Sequence, residues 1–209
     1  MYENFERIPP EEQARILDAC LEEFALHGYE KASTNAMVKR ANIPKGTLFF
    51  YFGSKKDLYL YLIDRAVERF VAFMSQANDE LPSDLFERLL HRSKIRFQFA
   101  IQEPNLYQFF YHALINTPES IQSDLQSRYS TYAFASRQSL YEGLDRSKFK
   151  DGIDIEQAIE LVYLVLEGIL SRYTGLLKKI QPDEGLQLVE KLTDECWGYF
   201  EILKQGMYK

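Results

Sequence analysis

Apolar residues recur along most of this chain at three- and four-residue spacing, the period of a helix that buries one face. Ile16, Leu17, Cys20, Leu21 and Phe24 draw the first such stripe. Pro9 and Pro10 open its helix, since a proline in the first turn lacks only an N–H that has no intrahelical partner. The helix is predicted to run to about Leu26, with Gly28 as its C-terminal stop. Ser33 or Thr34 then caps a short helix containing Ala36, Met37, Val38 and Ala41, which Asn42, Ile43 and Pro44 end. A second short helix spans Lys45 to Phe52 and stops at Gly53. Ser54 caps a longer one that carries Leu58, Leu62, Ile63, Ala66, Val67 and Phe70.

Further helical patterns occupy 83–102, 105–116, 119–144, 154–180 and 184–205. Pro82, Pro104, Pro118, the Lys150, Asp151, Gly152 segment and Pro182 punctuate them. No stretch alternates with period two between turn signals, so the predicted fold is all-α, with about nine helices. In the 154–180 pattern, residues Leu161 to Leu166 are apolar all round, and that helix must be covered on more than one side. Leu186, Val189, Leu192, Cys196, Tyr199 and Leu203 form a second stripe in 184–205. The chain's own core can cover one side of these helices and a second copy of the chain the other.

Composition narrows the function classes. A chain that is 46% hydrophobic and 27% charged is an ordinary globular one. Cys20 and Cys196 stand far apart inside helical patterns and read as buried thiols, with no disulfide framework or zinc site. His27, His91 and His112 share no metal-ligand spacing, so neither a metal nor another cofactor is expected. A phosphate-cradling glycine loop, an ordered Ser/His/Asp set and a paired-carboxylate motif are all missing, which argues against an enzyme. The longest strongly apolar run, Leu161 to Leu166, falls far short of the ~20 residues of a membrane span. The opening MYENFERIPPEEQ lacks the basic start and apolar run of a signal peptide. A cytoplasmic protein with no membrane partner is expected.

Charge changes the picture. The net charge of −6 argues against a nucleic-acid partner until its distribution is read. Lys31, Lys39, Arg40, Lys45, Lys55 and Lys56 lie in a window with no Asp or Glu, so residues 31–56 carry +6 and the remainder −12. Clustered cations gain affinity by displacing counterions from phosphates. The window also holds two short helices joined by a tight turn and followed by a third, the layout of a helix-turn-helix whose second helix enters the major groove. Ala36, Val38, Ala41, Ile43, Leu48 and Phe52 would hold the pair together, leaving Thr34, Asn35, Lys39, Lys45 and Thr47 facing out. Gly46 admits close approach of backbone to phosphate, and N–H groups at both helix starts suit phosphate oxygens.

The string Thr34-Asn35-Ala36-Met37-Val38-Lys39-Arg40-Ala41-Asn42-Ile43-Pro44-Lys45-Gly46-Thr47-Leu48-Phe49-Phe50-Tyr51-Phe52-Gly53-Ser54-Lys55-Lys56-Asp57-Leu58 resembles the signature of the TetR-like repressors. Ile16-Leu17-Asp18-Ala19 and Phe24-Ala25-Leu26-His27-Gly28-Tyr29 resemble that family's first helix and glycine turn. The resemblance implies a DNA-binding domain at 10–70, with its helix-turn-helix at 33–52, and a ligand-binding and dimerisation domain at 71–209. It implies that Thr34 and Lys55 contact phosphates and that Lys45, Gly46, Thr47, Phe50 and Tyr51 face the groove or its edges. One position departs: the family usually has Tyr where this chain has Phe49, whose contact would be apolar, for example to a thymine methyl. The implied partners are double-stranded operator DNA, a small-molecule inducer and a second copy of the chain, joined through the two C-terminal helices. The alternative is a DNA-binding protein of the same fold controlled by a protein partner.

Beyond the DNA-binding segment, Phe97, Phe99, Tyr107, Phe109, Phe110, Tyr111, Tyr129, Tyr132 and Phe134 crowd one region. Aromatics with a few polar tips suit an apolar ligand pocket between helices, and they equally suit a helical core. The reading is that most are core and a minority line a pocket. Phe97, Tyr107, Phe110, Tyr111, His112, Tyr132, Tyr163 and Glu167 are the candidate ligand residues. His112 reads as a buried core histidine before a ligand contact, and Glu167 as a rim residue before a buried polar group.

Overall fold

The structure, a computed structural model, describes residues 2–75, 81–115, 119–126, 128, 141–177 and 185–209; at 111, 112, 114, 115, 170, 173–177 and 185–190 it describes the backbone alone. Its helices are α1 (Glu3–Glu6), α2 (Pro10–Lys31), α3 (Thr34–Ala41), α4 (Lys45–Phe52), α5 (Lys55–Ser75), α6 (Leu85–Gln102), α7 (Pro104–Ile115), α8 (119–126), α9 (Ile155–Leu177) and α10 (Gly185–Met207). A 3-10 turn spans Arg146–Lys148. Among the described residues the β structure amounts to one isolated bridge, Phe149 to Tyr208. The fold is all-α, as the periodicity predicts. The 119–144 pattern can be compared only in part, because 129–140 lie outside the described residues.

Packing divides the chain into two compact units: Met1–Val71 with Asn105–Ala133, and Ala72–Pro104 with Phe134–Lys209. In the first unit Ile16, Cys20 and Phe24 of α2 meet Met37 and Ala41 of α3, Leu48 and Phe52 of α4, and Leu58, Tyr59 and Ile63 of α5. Phe109 and Ala113 of α7, with Ile121 and Leu125 of α8, close the same core. Burial without a partner pushes the Cys20 thiol up to about 12, so it stays protonated and packs as a small apolar group. Gln108 of α7 donates from Nε2 to the Ala25 carbonyl at 2.8 Å. That carbonyl lies just before Gly28 leaves helical geometry (φ 67, ψ 176), and the turn beyond it runs on to Lys31. Lys56–Asp124 at 2.8 Å and Arg128–Asp64 at 2.7 Å tie α5 to α8 and the residue beyond it.

Helix α1 is absent from the periodicity, since four residues cannot show a repeat. It nevertheless contributes Phe5, which is fully buried against Phe52, Tyr51 and Tyr61.

The second unit packs α6, α9 and α10 around Phe86, Leu89, Phe97, Val162, Leu166, Cys196 and Phe200. Asp84 caps α6, accepting from the Phe86 and Glu87 amides at 2.9 and 3.2 Å, and receives the Lys148 ammonium at 2.9 Å. The Tyr208 ring packs on Phe86 and Phe149, and its hydroxyl accepts from the Leu85 amide at 3.3 Å. Arg88, fully buried, donates to the carbonyls of Pro82 and Glu142 and so joins the segment that leads into α6 to the turn at Glu142.

Candidate nucleic-acid interface

The turn between α3 and α4 is built from local chemistry. Ser33 caps α3, its Oγ accepting from the Ala36 amide at 3.4 Å. Asn42 ends α3 in the left-handed region at φ 51, where Asn is better tolerated than most residues. The Ile43 amide then bonds back to the Val38 carbonyl at 3.1 Å, which satisfies one of the last carbonyls of the helix. Pro44 sets the entry to α4 with extended backbone, and no side chain caps the N-terminus of that helix. Gly53 ends α4 at φ 77, and Ser54 caps α5, its Oγ accepting from the Asp57 amide at 3.1 Å and donating to the Asp57 carboxylate.

Two residues hold α3 on α2. Glu23, 4% exposed on the core face of α2, accepts the Ser33 amide at 3.0 Å, with Arg40 and His27 nitrogens at 3.9 Å. Arg15 donates to the Ala41 carbonyl at the other end of α3. Neither residue is among the sequence candidates. The signal for Glu23 was a charge inside the stripe of Cys20 and Phe24, where burial demands partners. Met37, fully buried, joins the predicted packing residues Ala41, Leu48 and Phe52, while Ala36, Val38 and Ile43 are half-buried.

The sequence candidates for DNA contact separate into three groups. Asn35 and Lys39 are exposed one turn apart on α3. Lys45, Gly46 and Phe50 are exposed on α4, Phe50 at 67%, an unusual exposure for so large an apolar ring. Thr34, Thr47, Phe49 and Tyr51 are half-buried at the margins, the Phe49 ring lying 6.0 Å from the Lys45 ammonium. Lys55 is placed differently. Its ammonium donates to the Glu30 carbonyl at 3.2 Å and sits 5.1 Å over the Tyr29 ring. Burial pulls its pKa below the ordinary lysine value, against the opposing pull of Glu30 and Glu23.

The acid-free window is not acid-free in space. Arg40 meets Glu22 at 3.5 Å, and Lys56 meets Asp124 at 2.8 Å. No ion pair reaches Lys31, Lys39 or Lys45 among the described residues, so the uncompensated charge narrows to these three, while Lys55 feels the partial pull of Glu30 and Glu23.

The candidate ligand residues fall in both units. Tyr107 is half-buried and Phe110 buried in the first, where Phe110 stacks on Phe70 at 5.5 Å. In the second, Phe97 is core, Tyr163 is exposed on α9, and Glu167 is half exposed and accepts from Arg96 at 2.7 Å. The side chains of Tyr111 and His112, and all of Tyr129, Tyr132 and Phe134, lie outside the described residues.

Comparison with known proteins agrees with this geometry. The family model described as bacterial regulatory proteins, tetR family, matches residues 16–62, which run from α2 through the helix-turn-helix into α5. The fatty acid metabolism regulator protein of Bacillus subtilis is 25% identical over 155 residues, 71% of this chain and 76% of that protein. The crystal structure of a TetR family transcriptional regulator from Chloroflexus aurantiacus is 27% identical, with a TM-score of 0.70 over 99% of this chain and 98% of that one. The fold is also that of the Bacillus subtilis regulator FadR in complex with stearoyl-CoA, 20% identical with a TM-score of 0.63 over 86% of this chain and 97% of the other. The helix-turn-helix whose outward faces carry lysines with no ion pair among the described residues thus coincides with the segment that matches the tetR family of bacterial regulatory proteins, and the all-helical fold is similar over the whole chain to that of a TetR family transcriptional regulator.

Proposed function

We propose that the chain acts in the cytoplasm as a homodimeric repressor, bound to a palindromic operator through two copies of α3 and α4 and released by a small apolar or aromatic ligand. In this reading residues 10–70 read DNA, and 71–209 bind the ligand and the second subunit. The observation that carries it is the outward face of the motif, where Lys39 and Lys45 have no ion pair among the described residues and no side chain caps α4. An open helix N-terminus beside unpaired lysines suits a phosphate. Asn35, Gly46, Thr47, Phe49, Phe50 and Tyr51 then lie at the groove, and Thr34 at its edge. Lys55 reaches a phosphate only by leaving the Glu30 carbonyl.

The second copy is the occupant proposed for the exposed apolar face of α9 and α10. Leu161 and Leu164 on α9 and Tyr199 and Ile202 on α10 are all exposed, Leu164 at 61% and Ile202 at 67%. Arg172 bridges the two helices through Glu195 and Tyr199 on that side. For the ligand, a long-chain acyl-CoA is the first to test, because the fatty acid metabolism regulator is among the relatives and one structural neighbour holds stearoyl-CoA. Phe97, Tyr107, Phe110, Tyr111, His112, Tyr132, Tyr163 and Glu167 remain the proposed ligand residues.

Selection of genomic fragments by the purified protein at physiological salt tests the reading, because nonspecific attraction is suppressed there. Recovery of one or a few palindromic sites is the expected result. Fragments with no shared motif, from protein shown free of bound small molecules, would overturn it. Stearoyl-CoA should then release the recovered operator; release by a protein partner instead would favour the alternative mode of control.

A further inference from the structure

We infer that α1 is a brace for the DNA-reading helix, and that Phe5 is a positioning residue for operator recognition although it touches no DNA. The inference rests on the proposed function and lies outside both the segment matched by the family and the predicted DNA-binding domain, which begin at residues 16 and 10. Phe5 is fully buried, its ring 4.7 Å from Phe52, 5.6 Å from Tyr51 and 5.8 Å from Tyr61. Tyr2 adds a second ring, 4.7 Å from Tyr61 and 5.8 Å from Phe52, and its hydroxyl donates to the Asp57 carbonyl at 3.3 Å. Two aromatic side chains of one short turn thus clamp the last turn of α4 against the first turns of α5.

Helix α4 needs such a support. It has eight residues, no side-chain cap at its start, and a strongly apolar sequence in which Leu48 and Phe52 are buried. So short a helix is marginal alone and takes its position from what it packs on. Tyr51, a candidate at the groove edge, is half-buried with its ring edge-on to Phe5, and Phe50 stands beside it at 5.8 Å. Removing Phe5 leaves a void behind Tyr51 and Phe52, into which the end of α4 can tilt. A tilt disturbs base contacts, which demand fixed geometry, more than phosphate attraction, which does not.

The test measures affinity of Phe5→Ala and wild-type protein for the recovered operator and for a scrambled duplex of equal length. The ratio of the two affinities should fall about tenfold in the variant, on the order of the discrimination carried by one base contact. Affinity for the scrambled duplex should stay unchanged, and amide exchange should accelerate in α4 with α2 unaffected. A merely structural role would lower the folded fraction and reduce both affinities together. Should Phe5→Ala fail to fold, Phe5→Leu keeps part of the ring volume and should show a smaller fall in the same ratio. A recovered operator bound with an unchanged ratio by whichever variant folds would overturn the inference and leave the proposed function standing. Wild-type protein that recovers no shared motif would overturn both.

Discussion

Lys45 and Lys56 are both lysines of the acid-free window, but their surroundings set them apart. Lys45 is exposed and has no ion pair among the described residues, with the Phe49 ring one turn on, whereas Lys56 already holds Asp124 at 2.8 Å. A cation neutralised by its own protein releases no counterion from DNA. Lys45→Ala should therefore weaken operator binding and reduce the slope of log affinity against log salt by about 1, while Lys56→Ala leaves that slope unchanged; fluorescence anisotropy across a salt series reads both. Equal slopes for the two variants would contradict the assignment. Phe49 makes a different case. It is half-buried beneath Lys45, and its ring has no group that can donate to a phosphate. Phe49→Tyr should tighten operator binding by up to about fivefold, roughly one net hydrogen bond, and unchanged affinity in the same assay would show that an apolar contact is all the site uses.

The elements of the DNA-binding part were legible because each carries its own punctuation. Lys45 to Phe52 lies between a proline and a glycine and forms that helix. Ser33, Asn42 and Ser54 each do at a helix end what their side chains favour. What was illegible depends on groups distant in sequence: Phe5 on α4, Glu23 on the Ser33 amide, Arg88 between two loops, and the carboxylates that take Arg40 and Lys56 out of the basic face. Periodicity reports which face of a helix is covered but not by what, so the aromatics near α7 could not be sorted into core and pocket. The cap of α6 is another long-range device with a measurable consequence. Burial by itself would raise the Asp84 carboxyl, but Lys148 and the Glu87 and Phe86 amides outweigh it and hold it below the ordinary carboxylate value. A depressed folded value means that the stabilisation is present above the unfolded pKa, about 3.9, and is lost as pH falls through the folded one. The thermal midpoint should accordingly drop below about pH 4 in the wild type. Asp84→Asn should start lower at neutral pH and fall less steeply, and parallel curves for the two proteins would remove Asp84 from the account.

At the scale of the molecule, the proposed reading of a palindromic operator depends on geometry that one chain does not possess. In that reading a single α3–α4 pair would cover one half-site, with two half-sites about 34 Å apart or a multiple of it. Joining two readers raises the affinity of the pair over that of either by a factor on the order of 10² to 10⁴ with no new DNA contact. The exposed apolar positions of α9 and α10 are where that gain would be lodged. Leu164 and Ile202 are exposed in the single chain, so charging them costs the fold little, within about 0.5 kcal/mol for a typical surface change. In an apolar interface the same charges would be buried without partners, which is strongly unfavourable. Leu164→Glu with Ile202→Glu should therefore yield a folded monomer in sedimentation velocity, with the helix content of the wild type. Its affinity for a full operator should fall at least about a hundredfold, while its affinity for an isolated half-site stays that of the wild type. A double variant that remains dimeric would place the subunit interface elsewhere on the chain. A monomer that binds the full operator undiminished would mean that each α3–α4 pair reads its site alone.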